Sequence, residues 1–139
     1  MSTEVTAKTM NAYLDMLTKR GAYGQFFTDD VTFSLMGPGL VVKGSQAVEQ
    51  FIRSLHEQSF DADPQLQTLL NGDGQAALEA LFRGKHIGEF MGLAATGRSV
   101  EVPYSVFYSL RGDKITALRA YMPIDALMGQ LKASEPQAA

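Results

Sequence analysis

The stretch Gly84-Lys85-His86-Ile87-Gly88-Glu89-Phe90-Met91-Gly92 carries one of the chain's two histidines with a carboxylate three residues on, between glycines that let the backbone bend. A histidine titrates near neutral pH and can take a proton from a reacting carbon or return one. Glu89 can share that role if partial burial raises its pKa, or it can cap the short turn that begins there. Arg119 and Tyr121 fall on one side of a later segment, where a guanidinium and a phenol suit an enolate or carboxylate. Asp125 offers an acid in the first turn of the last helix, where it can also simply complement the helix dipole. Tyr13, Tyr104 and Tyr108 set hydroxyls on otherwise apolar faces, and Met91 belongs to a set of seven methionines that suit an adaptable cavity wall. The catalytic candidates are therefore His86, Arg119, Tyr121 and Asp125, and the ligand-binding candidates Tyr13, Glu89, Met91, Tyr104 and Tyr108. His56 is read as lying on the polar side of its helix and solvated. Two histidines far apart, with no cysteine and no acid cluster, predict no metal site.

The elements that must position these groups come in the order helices, then strands. Apolar residues at Met10, Tyr13, Leu14 and Leu17 predict a helix over Thr6 to Lys19 that Gly21 ends, followed by a short helical segment from Ala22 to Phe27. Val31 to Met36 alternates as a strand, and Gly37-Pro38-Gly39 turns it toward Leu40-Val41-Val42. Ser45 reads as the N-cap of a helix to about Ser59, with Val48, Phe51, Ile52 and Leu55 on its buried side. A meander follows: Leu66 to Leu70, the turn Asn71-Gly72-Asp73-Gly74, then Gln75 to His86, Ser99 to Leu110 and Ile115 to Met122. The Arg111-Gly112-Asp113 triplet is explained by the hairpin turn it forms, without an adhesion role. Pro123 to Lys132 predicts a short helix and Ala133 to Ala139 a frayed tail.

Side-chain parity in the long strands predicts one buried face. Val100, Val102, Tyr104, Val106, Tyr108 and Leu110 alternate with mostly polar neighbours, and Ala76, Leu78, Ala80 and Phe82 do the same, so that continuing the pattern turns His86 inward. Parity does not say which face is concave. Phe107 and Pro103 among the serines of the other face predict a homodimer through the outer side of the sheet.

With 139 residues, 45% of them hydrophobic, the chain suits one domain with one core, 1–139. A net charge of −3 with no basic run gives no electrostatic footprint for nucleic acid. A polar N-terminus and the lack of any apolar run near the length of a membrane span predict a soluble, cytoplasmic protein with no membrane partner.

The order of elements, together with Gly84 to Gly92 followed by Thr96-Gly97-Arg98-Ser99-Val100-Glu101-Val102-Pro103, resembles the SnoaL-like polyketide and ester cyclases of the nuclear transport factor two-like superfamily, from about Asn11 to Leu131. The resemblance implies an α+β fold in which a curved antiparallel sheet wraps around the N-terminal helices as a cone. It implies a cofactor-free cyclase or isomerase acting on a small hydrophobic carbonyl compound by proton abstraction; in that reading the residues of this chain offer His86 as the acid or base, with Arg119, Tyr121 or Tyr104 to hold the developing oxyanion. The fold also hosts non-catalytic binding proteins and, as a weaker alternative here, epoxide hydrolases, whose Asp-Arg-Asp set cannot be assembled from this chain. One departure stands out: Arg119-Ala120-Tyr121-Met122-Pro123 puts a proline where these cyclases carry their catalytic aspartate, and proline cannot move a proton.

Overall fold

A computed structural model describes residues 2–132, so the predicted tail from 133 lies outside the described residues. Helix α1 spans Thr3–Thr18 and buries Met10 and Tyr13 of its apolar stripe. It begins three residues before the expected start and ends where Arg20 takes a left-handed φ of 57°. The predicted segment over Ala22 to Phe27 is a single 3-10 turn, Tyr23–Phe26. Strands β1 (Phe27–Leu35) and β2 (Leu40–Lys43) form the expected hairpin.

Helix α2 corrects two expectations. It spans only Ser45–Arg53, and its N-cap is Gly44, whose φ of 98° is one that glycine adopts freely and serine does not; Ser45 is the first helical residue. The helix then widens into a π-helical turn over Ser54–Ser59. Arg53 holds this junction. Its guanidinium donates to Glu49 at 2.9 Å, Glu57 at 2.8 Å and the carbonyls of Arg20 and Gly21. It also stacks over the Tyr23 ring at 4.8 Å. The π-turn is thereby tied to the end of α1.

Strands β3 (Phe60–Ala62), β4 (Gln65–Asn71), β5 (Gln75–His86), β6 (Ser99–Arg111) and β7 (Lys114–Tyr121) follow, and helix α3 (Ile124–Lys132) closes the described chain. The sheet is strongly curled into a half-barrel and runs β2-β1-β7-β6-β5-β3, with β4 also on β5. It is antiparallel with one exception, a correction to the all-antiparallel reading: β1 and β7 pair in parallel, Thr32 beside Ala117 and Leu35 beside Ala120. After the β1–β2 hairpin, α2 carries the chain to the far edge at β3, and the meander returns to meet β1 running the same way. These elements together make a cone-shaped α+β fold with three helices packed into the curve of the sheet.

Parity works as expected in the long strands. Ala76, Leu78, Ala80 and Phe82 are buried on β5, opposite Tyr108, Val106, Tyr104 and Val102 of β6. The core has two parts. One joins α1, β1, α2 and β7 to the middle of the sheet; the other gathers Phe60, Phe82, Val100, Val102, Leu127 and Leu131 under α3. Tyr104 and Met122 pack against both. No helix among the described residues is long and apolar enough to cross a membrane.

Two glycines of the Gly-x-His-x-Gly stretch are required by close approach. A Cβ on Gly84 would lie 2.8 Å from the Asp61 carbonyl oxygen in β3, and one on Gly88 would overlap the Gln58 carbonyl oxygen at the end of the π-turn. Both neighbours are backbone atoms and cannot swing aside. Gly88→Ala is accordingly expected to destabilise the protein by roughly 1–3 kcal/mol, the usual cost of overpacking. An unchanged urea midpoint in this variant would contradict the packing described.

Candidate functional site

Between the sheet and the helices lies a cavity of about 240 Å³ whose wall is overwhelmingly apolar, with Phe33, Phe51, Leu55, Phe82, Phe90 and Met122 among its sides. Besides Ser59, whose hydroxyl donates to the Glu89 carbonyl, four polar side chains reach it from within: His56 from the π-turn, Tyr13 from α1, and Tyr104 and Tyr108 from the inward face of β6. Glu89 and Met91 stand at its exposed edge.

His56 is the ionisable group best placed for chemistry. Its Nδ1 lies 2.8 Å from the Ile52 carbonyl oxygen, which can only accept, so Nδ1 carries the proton and Nε2 the lone pair. Nε2 has no hydrogen-bond partner among the described residues. The ring meets Phe82 edge-on at 6.0 Å. Burial lowers its pKa below the ordinary histidine value, aided by the nearby Arg20 charge and opposed by the Ile52 hydrogen bond and by Glu57. The imidazole is therefore neutral at physiological pH and presents an unprotonated nitrogen.

The three tyrosine hydroxyls complement it. Tyr13 and Tyr108 are almost fully buried, with rings 6.1 Å apart, and none of Tyr13, Tyr104 and Tyr108 has a hydroxyl partner among the described residues. Burial is the main cause that raises all three pKa values, that of Tyr104 to about 12, and neighbouring phenols raise those of Tyr13 and Tyr108 further. They remain protonated donors at any working pH. An oxyanion forming among them would meet donors already aimed at it in a region of low dielectric.

A second cavity, also about 240 Å³, adjoins the first. Leu17, His56, Tyr104 and Tyr108 are walls of both. Its other sides are more polar and include Asp15, Arg20, Glu57, Asp63 and Tyr23.

The groups singled out in the sequence are distributed unevenly around this site. Tyr13, Glu89, Met91, Tyr104 and Tyr108 all line the first cavity. His86 is inward and fully buried, yet it is not part of either cavity wall. Its Nδ1 accepts from the Thr96 backbone N–H at 3.1 Å and lies 3.0 Å from the Thr96 hydroxyl, while its backbone pairs with Gly97 and Arg98. Phe60 stacks against the ring at 5.2 Å, and it is Phe82, packed in turn on Phe60, that faces the cavity. His86 thus pins the 87–98 loop to the end of β5. Arg119 and Tyr121 are on the outer face of β7, opposite the cavity-lining Leu118 and Ala120. Arg119 donates to Ser109 at 3.2 Å, and Tyr121 is half exposed beside Phe107. Asp125 is exposed at the start of α3, outside the cavity wall.

His56 is the residue that sequence reasoning missed, and the expectation that it is solvated is corrected. A signal was present: Val48, Ile52 and His56 are spaced four apart, and the first two are buried. The π-turn that follows Arg53 carries the histidine in among Phe82 and the tyrosines.

Comparison with known proteins agrees with this architecture. The family model described as SnoaL-like polyketide cyclase matches residues 7–131. A protein assigned as a polyketide cyclase from Xanthomonas campestris pv. campestris superposes with a TM-score of 0.78 at 20% identity, over 94% of this chain and 99% of that one. TsrD from Streptomyces laurentii gives 0.79 at 17% identity, over 96% and 98%. A Catenulispora acidiphila protein described as having a ketosteroid isomerase-like fold gives 0.72 at 16%, over 90% and 92%. At these identities the likeness speaks for the fold. No functionally curated protein matches the sequence.

Proposed function

This chain belongs to the SnoaL-like polyketide cyclase family, and from that premise we propose that it is a cofactor-free enzyme of the cyclase or isomerase type whose general base is His56. The observation that carries the reading is a neutral imidazole, with its lone pair on Nε2, in an apolar cavity beside three unpartnered phenols. The substrate is a hydrophobic compound with an acidic C–H next to a carbonyl. His56 Nε2 takes that proton, the C–H electron pair moves into a new C=C bond, and the carbonyl π pair moves to oxygen. A tyrosine hydroxyl among Tyr13, Tyr104 and Tyr108 donates to the enolate oxygen so formed. Where a C=C adjoins the deprotonated carbon, the enolate is a dienolate and the imidazolium can return the proton to its far carbon as the double bonds shift, an isomerisation; otherwise the enolate carbon can attack a second carbonyl of the same molecule and close a ring. In the closure the imidazolium protonates the new alkoxide. Atoms balance in both courses without an external reductant or oxidant.

Both courses share the first step, which is testable without the natural substrate. 2-Acetylnaphthalene is a hydrophobic ketone with acidic methyl protons. In heavy water the protein is expected to speed the loss of its methyl proton NMR signal well above the rate in buffer containing an equal concentration of imidazole. A second reading, non-catalytic binding of a small hydrophobic molecule, is favoured by Pro123 at the position where these cyclases carry an aspartate. Saturable binding of the ketone with no exchange above the imidazole control would overturn the enzyme reading in favour of that one.

A further inference from the structure

We infer that the second cavity is a subsite for a neutral, hydroxyl-bearing end of the substrate, whose apolar body occupies the first cavity; the inference rests on the catalytic reading of His56. The two cavities meet at His56, Tyr104 and Tyr108, so a molecule held in both has its middle at the base and the phenols. The second cavity differs in character. Tyr23 forms part of its wall, is fully buried and has a hydroxyl with no hydrogen-bond partner among the described residues. An orphaned buried hydroxyl is costly, and a ligand oxygen is the natural partner for it.

The charged groups around it decide between a neutral and a charged end. Asp15, Glu57 and Asp63 are each already paired, with Lys19, Arg53 and Arg83 at 2.8 to 3.0 Å, and Arg20 is paired with Asp61 at 2.9 Å. The lining guanidinium, Arg20, is already held by Asp61, so no free cation is left among the described lining residues to hold an anionic end. The existing pairs leave little uncompensated charge to attract a cationic one. A hydroxyl both donates and accepts, so it can serve the carboxylate oxygens and the Tyr23 phenol together.

Three derivatives of 2-acetylnaphthalene carrying a hydroxyethoxy, carboxymethoxy or aminoethoxy tail at ring position 6 test this against the parent ketone, by fluorescence titration. The hydroxyl tail is expected to tighten Kd about tenfold, the worth of roughly one good hydrogen bond to a buried group, and the carboxylate tail to give no gain. In Tyr23→Phe the hydroxyl-tail to parent ratio is expected to fall toward one. That variant removes a hydroxyl with no internal partner, so its melting temperature should not fall. Leu66→Trp, at an exposed strand position lining only the second cavity, should abolish the ratio by filling the space. Equal affinities for parent and hydroxyl tail, a larger gain from the amine, or a ratio that persists in both variants would each overturn the subsite. In the unmutated protein, no gain from the hydroxyl tail with proton exchange intact overturns the subsite alone, and a gain without exchange overturns the catalytic reading alone.

Discussion

Replacing His56 by glutamine is expected to lower the rate of ketone proton exchange by roughly 10²–10⁴-fold, the range for loss of a general acid or base, while far-ultraviolet circular dichroism stays native. Glutamine keeps an amide N–H that can still donate to the Ile52 carbonyl, so the π-turn retains its internal bond, but it has no basic nitrogen to offer. The pH profile is a second readout. Burial lowers the His56 pKa, so the unprotonated base persists below the ordinary histidine value of about 6.5, and exchange should hold steady through neutrality and fall only on the acid side of it. The same shift acts on stability with a definite sign. At acid pH the unfolded chain binds a proton at this histidine more readily than the folded one, so the His56 contribution is fully present above the unfolded pKa and is lost as pH falls through the folded pKa. His56→Gln should flatten that part of the stability curve. A variant that exchanges the ketone at the rate of the parent protein would remove His56 from the chemistry.

The largest loss of stability is expected from Phe60→Ala, roughly 3–5 kcal/mol, with a melting temperature lower by about 10 °C or more. Phe60 is fully buried, and the rings of Phe82, Phe90 and His86 all lie 5.2 Å from its own. Truncation empties the centre of this aromatic group, and its neighbours are fixed by backbone bonds. Ile87 and Gly88 both donate to the Ser59 carbonyl, and Gly97 pairs with His86, so the void cannot easily collapse. Calorimetry that gave a loss below about 1 kcal/mol would mean that the loop relaxes into the space, contrary to the role given to His86 as its anchor.

How far the sequence could be read depended on whether local pattern or long-range packing decided each feature. The bounds of β5 and the buried faces of β5 and β6 follow from strict alternation and turn residues, and both emerge as read. His86 shows where alternation stops being informative. It is inward, as its parity required, but inward at that end of β5 means between Phe60 and Thr96 of the loop instead of beside a void. Arg119 and Tyr121 share a face as read, yet the register with β6 sets Leu118 and Ala120 toward the cavity and leaves the pair outside. The helix reading ran through Ser59 because nothing in Ser54 to Ser59 announces a π-turn. Two of the glycines that marked the Gly84 to Gly92 stretch, Gly84 and Gly88, turn out to serve β3 and the turn bearing His56, which they allow to come close. The signature therefore sits next to the candidate site and supports it from behind.

The parallel pairing of β1 with β7 has a consequence for how this chain acquires its shape. Thr32 and Ala117 are neighbours in the sheet but far apart in the sequence, so a long loop must close before that contact forms. Leu118 and Ala120, which line the first cavity, arrive with the same strand. During synthesis the edge of β1 facing β7 stays bare, and the cavity has no floor, until β7 has left the ribosome. Folding of the sheet then waits for β7, and a nascent chain halted before β7 would carry an unpaired strand edge of the kind that seeds aggregation.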